Sequence, residues 1–303
     1  MRRLWLVAGS VLLLVSAIAG GIGILIGPGV LHPQNLNPER LQQTSEMLSR
    51  TGATRADFEV TARDGAILRG WKVKAAVPSG DWVLLFHGVS DNRTGMLGAA
   101  EFLLRHHFSV VTMDARAHGK SGGTIATYGW LERYDTVAIT DALVSTENVK
   151  HLYALGASMG GAIALQSAAV EPRIEAVVAE ASFASLREVS YDYAGLDVSP
   201  WLGKTLLRPA SFFAMREMAK AGQFNPDDVS PEKAVAQRAF PVLLICGTLD
   251  HRIPCRHAER IYNAARGAKQ LWAVEGAGHA AALGTQPLEY EDQVIRFLSQ
   301  CAH

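Results

Sequence analysis

"LYALGASMGGAIALQSAA", residues 152–169, packs Gly156, Ser158, Gly160 and Gly161 between two apolar runs. Glycine weakens the interior of a strand or a helix. Four small residues so close together mark either a loose turn or a backbone bend that side chains would obstruct. "HLYAL" before them reads as a short buried strand, and "MGGAIALQSAAV" after them reads as a helix. A tight strand-to-helix turn would lift the Ser158 hydroxyl out of the backbone and aim the free N–H groups of the helix start at it. Gly-x-Ser-x-Gly alone is a weak signal. Set between a strand and a helix it is a strong one, and it makes Ser158 a candidate nucleophile.

The surrounding chain repeats the strand–turn–helix rhythm. "DFEVTAR" and "ILRGWKVK" alternate in polarity around Asp64-Gly65, which predicts a hairpin. "WVLLFHG", "SVVTMD", "IEAVVAE" and "PVLLICG" are short, nearly continuous apolar runs, the pattern of strands covered on both faces. Segments of helical length lie between most of them: Thr94 to His106, Trp130 to Thr146 and Met159 to Val170. The alternation predicts an α/β fold with a mainly parallel sheet flanked by helices. Ser182 to Arg238 breaks the rhythm, being far longer than one crossover requires. Its stretch "PWLGKTLLRPASFFAMREMAKAG" is rich in Trp, Leu, Phe and Met, and predicts a helical insertion over the carboxyl edge of the sheet, serving as a lid on an apolar substrate pocket.

A serine nucleophile needs a base, and the base needs an orienting carboxylate. Downstream, "PVLLICGTLDHRIP" ends a strand in a loop carrying Asp250, and "KQLWAVEGAGHA" ends another in a Gly-rich loop carrying His279. The order Ser, Asp, His, with acid and base in loops after successive strands, is that of the α/β-hydrolases. The stretches "LLFHGVSDNR", "VVTMDARAHGKSGG", "YGWLERYD", "GASMGGAIAL", "AEASFAS", "LLICGTLDHRIPCRHAERIY" and "VEGAGHA" cover nearly the whole chain after Asp57. On them the chain resembles the serine hydrolases of that superfamily, in the small, lid-bearing branch related to dienelactone hydrolases and the catalytic domain of prolyl oligopeptidases. The resemblance implies Ser158 as nucleophile, Asp250 as acid and His279 as base. It implies that the "HG" after the third strand opens the oxyanion loop, with the backbone N–H groups of Val89 and Met159 as donors. The triple-glycine form of that loop is absent, which leaves Gly88 as an alternative to Val89. Glu180, after the preceding strand, is the rival to Asp250. Outside the matched catalytic positions, His87 is expected to hold the oxyanion loop, and His118 and Asp114 to brace the loop after the fourth strand. His106 and His107 read as surface residues, and His251 and His257 as bystanders. Glu132 and Asp135 read as a solvated helix face or loop anchors.

The expected reaction is hydrolysis of carboxylic esters through an acyl-enzyme, with no metal or organic cofactor and a small or lipid-like ester as substrate. A serine peptidase and an acyltransferase use the same triad. A non-catalytic binding protein on the same fold is the alternative of a different class. Lys and Arg total 29, as do Asp and Glu, so no net charge gathers nucleic acid and none is expected as a partner.

The N-terminus stands apart. After Arg2 and Arg3, Leu4 to Ile26 carries no charge and is long enough to span a bilayer. Residues 1–27 are therefore expected to be a transmembrane anchor, with the two arginines on the cytoplasmic side and the catalytic domain on the other. A cleaved signal peptide is the alternative, with Ala17-Ile18-Ala19 resembling a processing site; the protein would then be secreted. Residues 28–56 read as a linker with a short helix, and 57–303 as the hydrolase domain, interrupted by the insertion at about 182–238. Cys246, Cys255 and Cys301 have no metal-ligand spacing. Cys246 sits in an apolar run, and its spacing from Cys255 does not decide whether the two are bridged.

Overall fold

The structure, a computed structural model, describes residues 2–302; the side chains of residues 2–13, Arg2 and Arg3 among them, and that of Pro200 lie outside the description. The helices are α1 (Arg2–Ile26), α2 (Leu41–Thr51), α3 (Leu97–Arg105), α4 (Glu132–Thr146), α5 (Met159–Val170), α6 (Leu186–Gly195), α7 (Pro200–Lys204), α8 (Arg208–Gly222), α9 (Pro231–Gln237), α10 (Arg256–Ala264), α11 (Ala282–Thr285) and α12 (Pro287–Gln300). The strands are β1 (Thr54–Thr61), β2 (Ile67–Lys74), β3 (Trp82–Phe86), β4 (Ser109–Met113), β5 (Leu152–Ala157), β6 (Ile174–Glu180), β7 (Val242–Gly247) and β8 (Lys269–Val274).

β1 and β2 form the hairpin around Asp64-Gly65, with Thr61 opposite Ile67, and β2 then pairs antiparallel with β4. From β4 onward every pairing is parallel, and the order across the sheet is β1-β2-β4-β3-β5-β6-β7-β8. Side chains alternate between faces along a strand. Tyr153 and Leu155 of β5 therefore pack with α2, α3 and α12 on one face, while Leu152 and Ala154 pack with α4, α5 and α10 on the other. Both faces are covered, so both sets of positions must be apolar; this is why the strand runs read as continuous. Each fully buried Leu or Phe in these two layers contributes roughly 1.5–3 kcal/mol.

The helices depart from the sequence reading at two starts. Residues 93–96 form a 3₁₀ turn before α3, capped by the Asn92 side chain accepting from the Thr94 N–H. α4 begins at Glu132 rather than at Trp130. The segment between β6 and β7 is helical, as its composition suggests, and consists of α6 to α9. Phe183, Leu186, Val189, Met215 and Met218 form a third apolar cluster there, joined by Leu31 from the N-terminal segment.

The turn between β5 and α5 fixes where the sheet and that helix meet. Ser158 has φ +57° and ψ −119°, and its N–H donates to the Glu180 carbonyl at 2.8 Å. A Cβ on Gly156 would stand 2.3 Å from the Gly160 carbonyl oxygen, and one on Gly160 would stand 2.0 Å from the Phe86 carbonyl oxygen. These contacts are backbone against backbone and cannot be relieved by a rotamer change. Gly160→Ala is therefore expected to cost about 2 kcal/mol or more, lowering Tm by roughly 4–8 °C in a thermal melt. An unchanged Tm would mean that the turn tolerates a side chain there.

Candidate active site

Three loops at the carboxyl edge of the sheet bring the Ser158, Asp250 and His279 side chains together. His279 Nε2 lies 2.9 Å from Ser158 Oγ, and His279 Nδ1 lies 2.8 Å from Asp250 Oδ2. Asp250 is buried, and its other oxygen, Oδ1, accepts from the backbone N–H groups of Arg252 and Ile253, each at 2.9 Å. Those two bonds fix the carboxylate, which leaves Oδ2 to orient the imidazole. With Nδ1–H donating to Asp250, Nε2 is free to accept the proton of the serine hydroxyl. Chemically, this arrangement can generate a serine alkoxide equivalent and return its proton to a leaving group.

Glu180 has its own partners. Its Oε1 accepts from the Ala282 N–H at 2.8 Å and its Oε2 from the Tyr290 hydroxyl at 3.1 Å. Burial pushes this carboxyl above its ordinary range, and those two donors act the other way. Glu180 thus buttresses the chain just after His279, while Asp250 is the carboxylate on the ring.

The loop after β3 passes beside the serine: a Cβ on Gly88 would lie 3.6 Å from Ser158 Cβ. Val89 from this loop and Met159 at the head of α5 both line the cavity in front of Ser158. His87 holds the loop in place. Its Nε2 accepts from the Ala115 N–H at 3.0 Å, so the ring is neutral, and Nδ1–H donates to the Gly88 carbonyl at 2.8 Å. Burial, with His118 alongside, brings His87 down to about 4.

The other residues singled out in the sequence fall outside this group. Asp114 accepts from the backbone N–H groups of Arg93 and Lys120, tying two loops together, and His118 Nδ1 donates to the Arg116 carbonyl. His106 pairs with Glu291 at the surface, and His107 and His251 are exposed. Glu132 and Asp135 do not form a solvated face; both are buried. Glu132 anchors the 127–129 turn by accepting from the Thr127 and Gly129 N–H groups, and Asp135 forms a two-bond pair with Arg116. His257, which reads in the sequence as a bystander beside Asp250, is buried and has a structural task. It accepts from the Ala184 N–H and donates to Asp192 of α6 at 2.8 Å, stitching the insertion to α10. Cys246 and Cys255 are bridged, closing the loop that carries Asp250. Among the described residues, no group of three or more His, Cys, Asp or Glu side chains is placed to hold a metal ion.

Ser158 opens onto two cavities of different character. One, of about 320 Å³, is almost wholly apolar; the insertion supplies much of its wall, including Phe183, Leu186, Val189, Ala210 and Met215, and Ile253 joins from the loop after β7. The other, of about 250 Å³, is half polar and includes Asn37, Asp91, Arg252 and His279. Tyr128, held at φ +57°, and Tyr193 of α6 also border the apolar cavity.

Residues 78–237, more than half of the chain, match the family described as serine aminopeptidase, S33, and the protein belongs to that family of α/β-hydrolases. It is 27% identical over 247 residues to the uncharacterized protein YfhR of Escherichia coli (strain K12), covering 79% of each chain. It is 28% identical over 246 residues to the uncharacterized protein YqkD of Bacillus subtilis (strain 168), covering 80% of this chain and 78% of that one. Among solved structures it is similar in fold to the Pyrococcus furiosus esterase Pf2001, with a TM-score of 0.71 at 23% identity over 89% of this chain and 97% of that one. These matches establish a hydrolase of the α/β class.

His87 gives the fold a pH dependence with a definite sign. The folded chain holds the ring neutral to about 4, whereas the unfolded chain takes up the proton near 6.5. This contribution is complete above pH 6.5 and is lost as pH falls toward 4, amounting to about 3 kcal/mol. Melting curves across that range should fall more steeply for the native chain than for His87→Gln; equal slopes would contradict the assignment.

Proposed function

We propose that the protein is a serine esterase acting on acyl esters through an acyl-enzyme, with Ser158 as nucleophile, His279 as base and Asp250 as the residue that orients it. The observation that carries this reading is the position of Ser158 at the junction of an apolar and a half-polar cavity. An ester has the same division: an acyl chain on one side of the carbonyl and a more polar alcohol on the other. In the first step, Ser158 Oγ attacks the carbonyl carbon while its proton passes to His279 Nε2, and Asp250 stabilises the resulting imidazolium. The carbonyl electrons move onto oxygen, and the N–H groups of Met159 and of Val89 or Gly88 donate hydrogen bonds to the oxyanion so formed. Each such donor contributes on the order of 3–4 kcal/mol to the transition state. Collapse expels the alcohol, protonated by His279. Water then repeats the sequence on the acyl-enzyme, releasing the acid and restoring Ser158. These steps use no metal or organic cofactor.

The insertion acts as the lid over the acyl side in this reading. The N-terminal helix serves as a membrane anchor that places the substrate's source, a lipid phase, beside the site. The Cys246–Cys255 bridge supports a catalytic domain outside the reducing cytoplasm. A peptidase is the second reading, favoured by the description of the matching family. Fold neighbours described as esterases, Pf2001 and the Thermoanaerobacterium acetyl xylan esterase 1 (TM-score 0.60), weigh toward esters.

Ser158→Ala is expected to lower ester turnover by about a thousandfold or more while the chain stays folded. Undiminished turnover would reject the mechanism. A panel of esters of graded chain length plus one aminoacyl amide separates the two readings. The esterase reading expects kcat/KM to rise with acyl length and to exceed that of the amide; the reverse order would assign a peptidase.

A further inference from the structure

The N-terminal helix does not hang from the catalytic domain by a linker; it is packed into it. Ala19, Gly20, Gly23 and Gly27 are buried, while the side chains around them on α1 (Leu14, Ile18, Ile22, Leu25) are exposed. The buried set lies against α8. A Cβ on Gly23 would stand 2.1 Å from the Ala210 carbonyl oxygen, and one on Gly27 would stand 2.6 Å from that of Ala214. Glycine at these positions lets the two backbones approach more closely than any side chain would allow. The segment that follows is hydrogen-bonded in place. The Leu31 carbonyl accepts from the Ala126 N–H at 2.8 Å, and the Val30 carbonyl accepts from the Tyr128 hydroxyl at 2.7 Å.

This docking has a consequence for the apolar cavity in front of Ser158. Ile26 of α1, which is 53% exposed, and Val30 just after it line that cavity together with Ala210, Ala214 and Met215 of the adjoining α8. Part of its wall therefore belongs to the only described helix that is long and apolar enough to cross a membrane. The insertion beside it leaves Trp201 and Phe212 exposed, residues suited to the boundary between lipid and water.

We propose that the N-terminal helix is a structural wall of the acyl pocket, and that the pocket receives the acyl chain of a membrane lipid from the bilayer around that helix. This rests on the esterase reading for the chemistry, but the wall itself does not. Ile26 and Val30 then set chain length together with the adjoining residues of α8. The exposed face of α1 (Leu14, Ile18, Ile22, Leu25) is covered by lipid. A helix that only tethers the domain has no need of a glycine seam against α8 or of side chains in the pocket.

The test uses the full-length protein in phosphatidylcholine vesicles, with two readouts. In the first, the Ser158→Ala chain is irradiated with palmitic acid bearing a diazirine near the end of its chain, and adducts are mapped by mass spectrometry. Adducts at Ile26 or Val30 and within residues 210–215 are expected. Adducts confined to Leu14, Ile18, Ile22 and Leu25 would overturn the proposal. In the second, the ratio of kcat/KM for a palmitoyl ester to that for a butyryl ester is compared in Ile26→Trp and Leu25→Trp, both with Ser158 intact. Ile26→Trp fills the pocket and should lower the ratio roughly tenfold or more. Leu25 is 82% exposed, and Leu25→Trp should leave the ratio unchanged. Equal ratios in the two variants would also overturn the proposal. Capture at Ile26 in a chain inert toward every ester would reject the serine esterase and leave the wall standing.

Discussion

The structure turns on one backbone crossing. At the end of β5 the chain reverses into α5 through Ser158, in a conformation with positive φ, and the helix start lies against the carbonyls of Phe86 and His87. Residues that expose only backbone at Gly156 and Gly160 make that approach feasible. The approach brings the loop after β3 beside Ser158, so one steric condition sets both the position of the serine and its closeness to that loop. The Ser158 N–H is occupied by the Glu180 carbonyl at the end of β6, which anchors the turn in the sheet. The conformation is strained for an L-residue, and the surrounding layers hold it.

Around this crossing the fold places polar groups so that each has one task. Asp250 uses one oxygen on two backbone donors and the other on His279. Glu180, a carboxylate close by, is committed to Ala282 and Tyr290 and does not compete for the ring. His87 is spent on the loop it steadies. The result is a single imidazole poised between a hydroxyl and a carboxylate, at the meeting of an apolar and a half-polar cavity.

Much of this could be read from the sequence because the signals are local. Strands buried on both faces must be apolar at every position, so β3 to β7 announced themselves, and the hairpin was marked by Asp64-Gly65. α5 matches its expected bounds because the glycine cluster fixes its start. What escaped depends on contacts between distant segments. Glu132 and Asp135 look like ordinary charges on a helix face, and only their partners, the 127–129 turn and Arg116, explain their burial. His257 gives no sign of Asp192, which lies 65 residues away. Cys246 was legible as buried, but its bridge needed the Asp250 loop to fold back on itself. The glycines at positions 20, 23 and 27 read as part of a uniformly apolar helix, because the seam they form exists only once α8 is beside them.

The most direct measurement of the central claim is covalent labelling of the intact protein by a fluorophosphonate, with the adduct located by mass spectrometry. A hydroxyl activated by His279 should give one adduct, on Ser158, forming at a rate that collapses in His279→Ala. No adduct, or one on another residue at a rate indifferent to His279, would contradict the account.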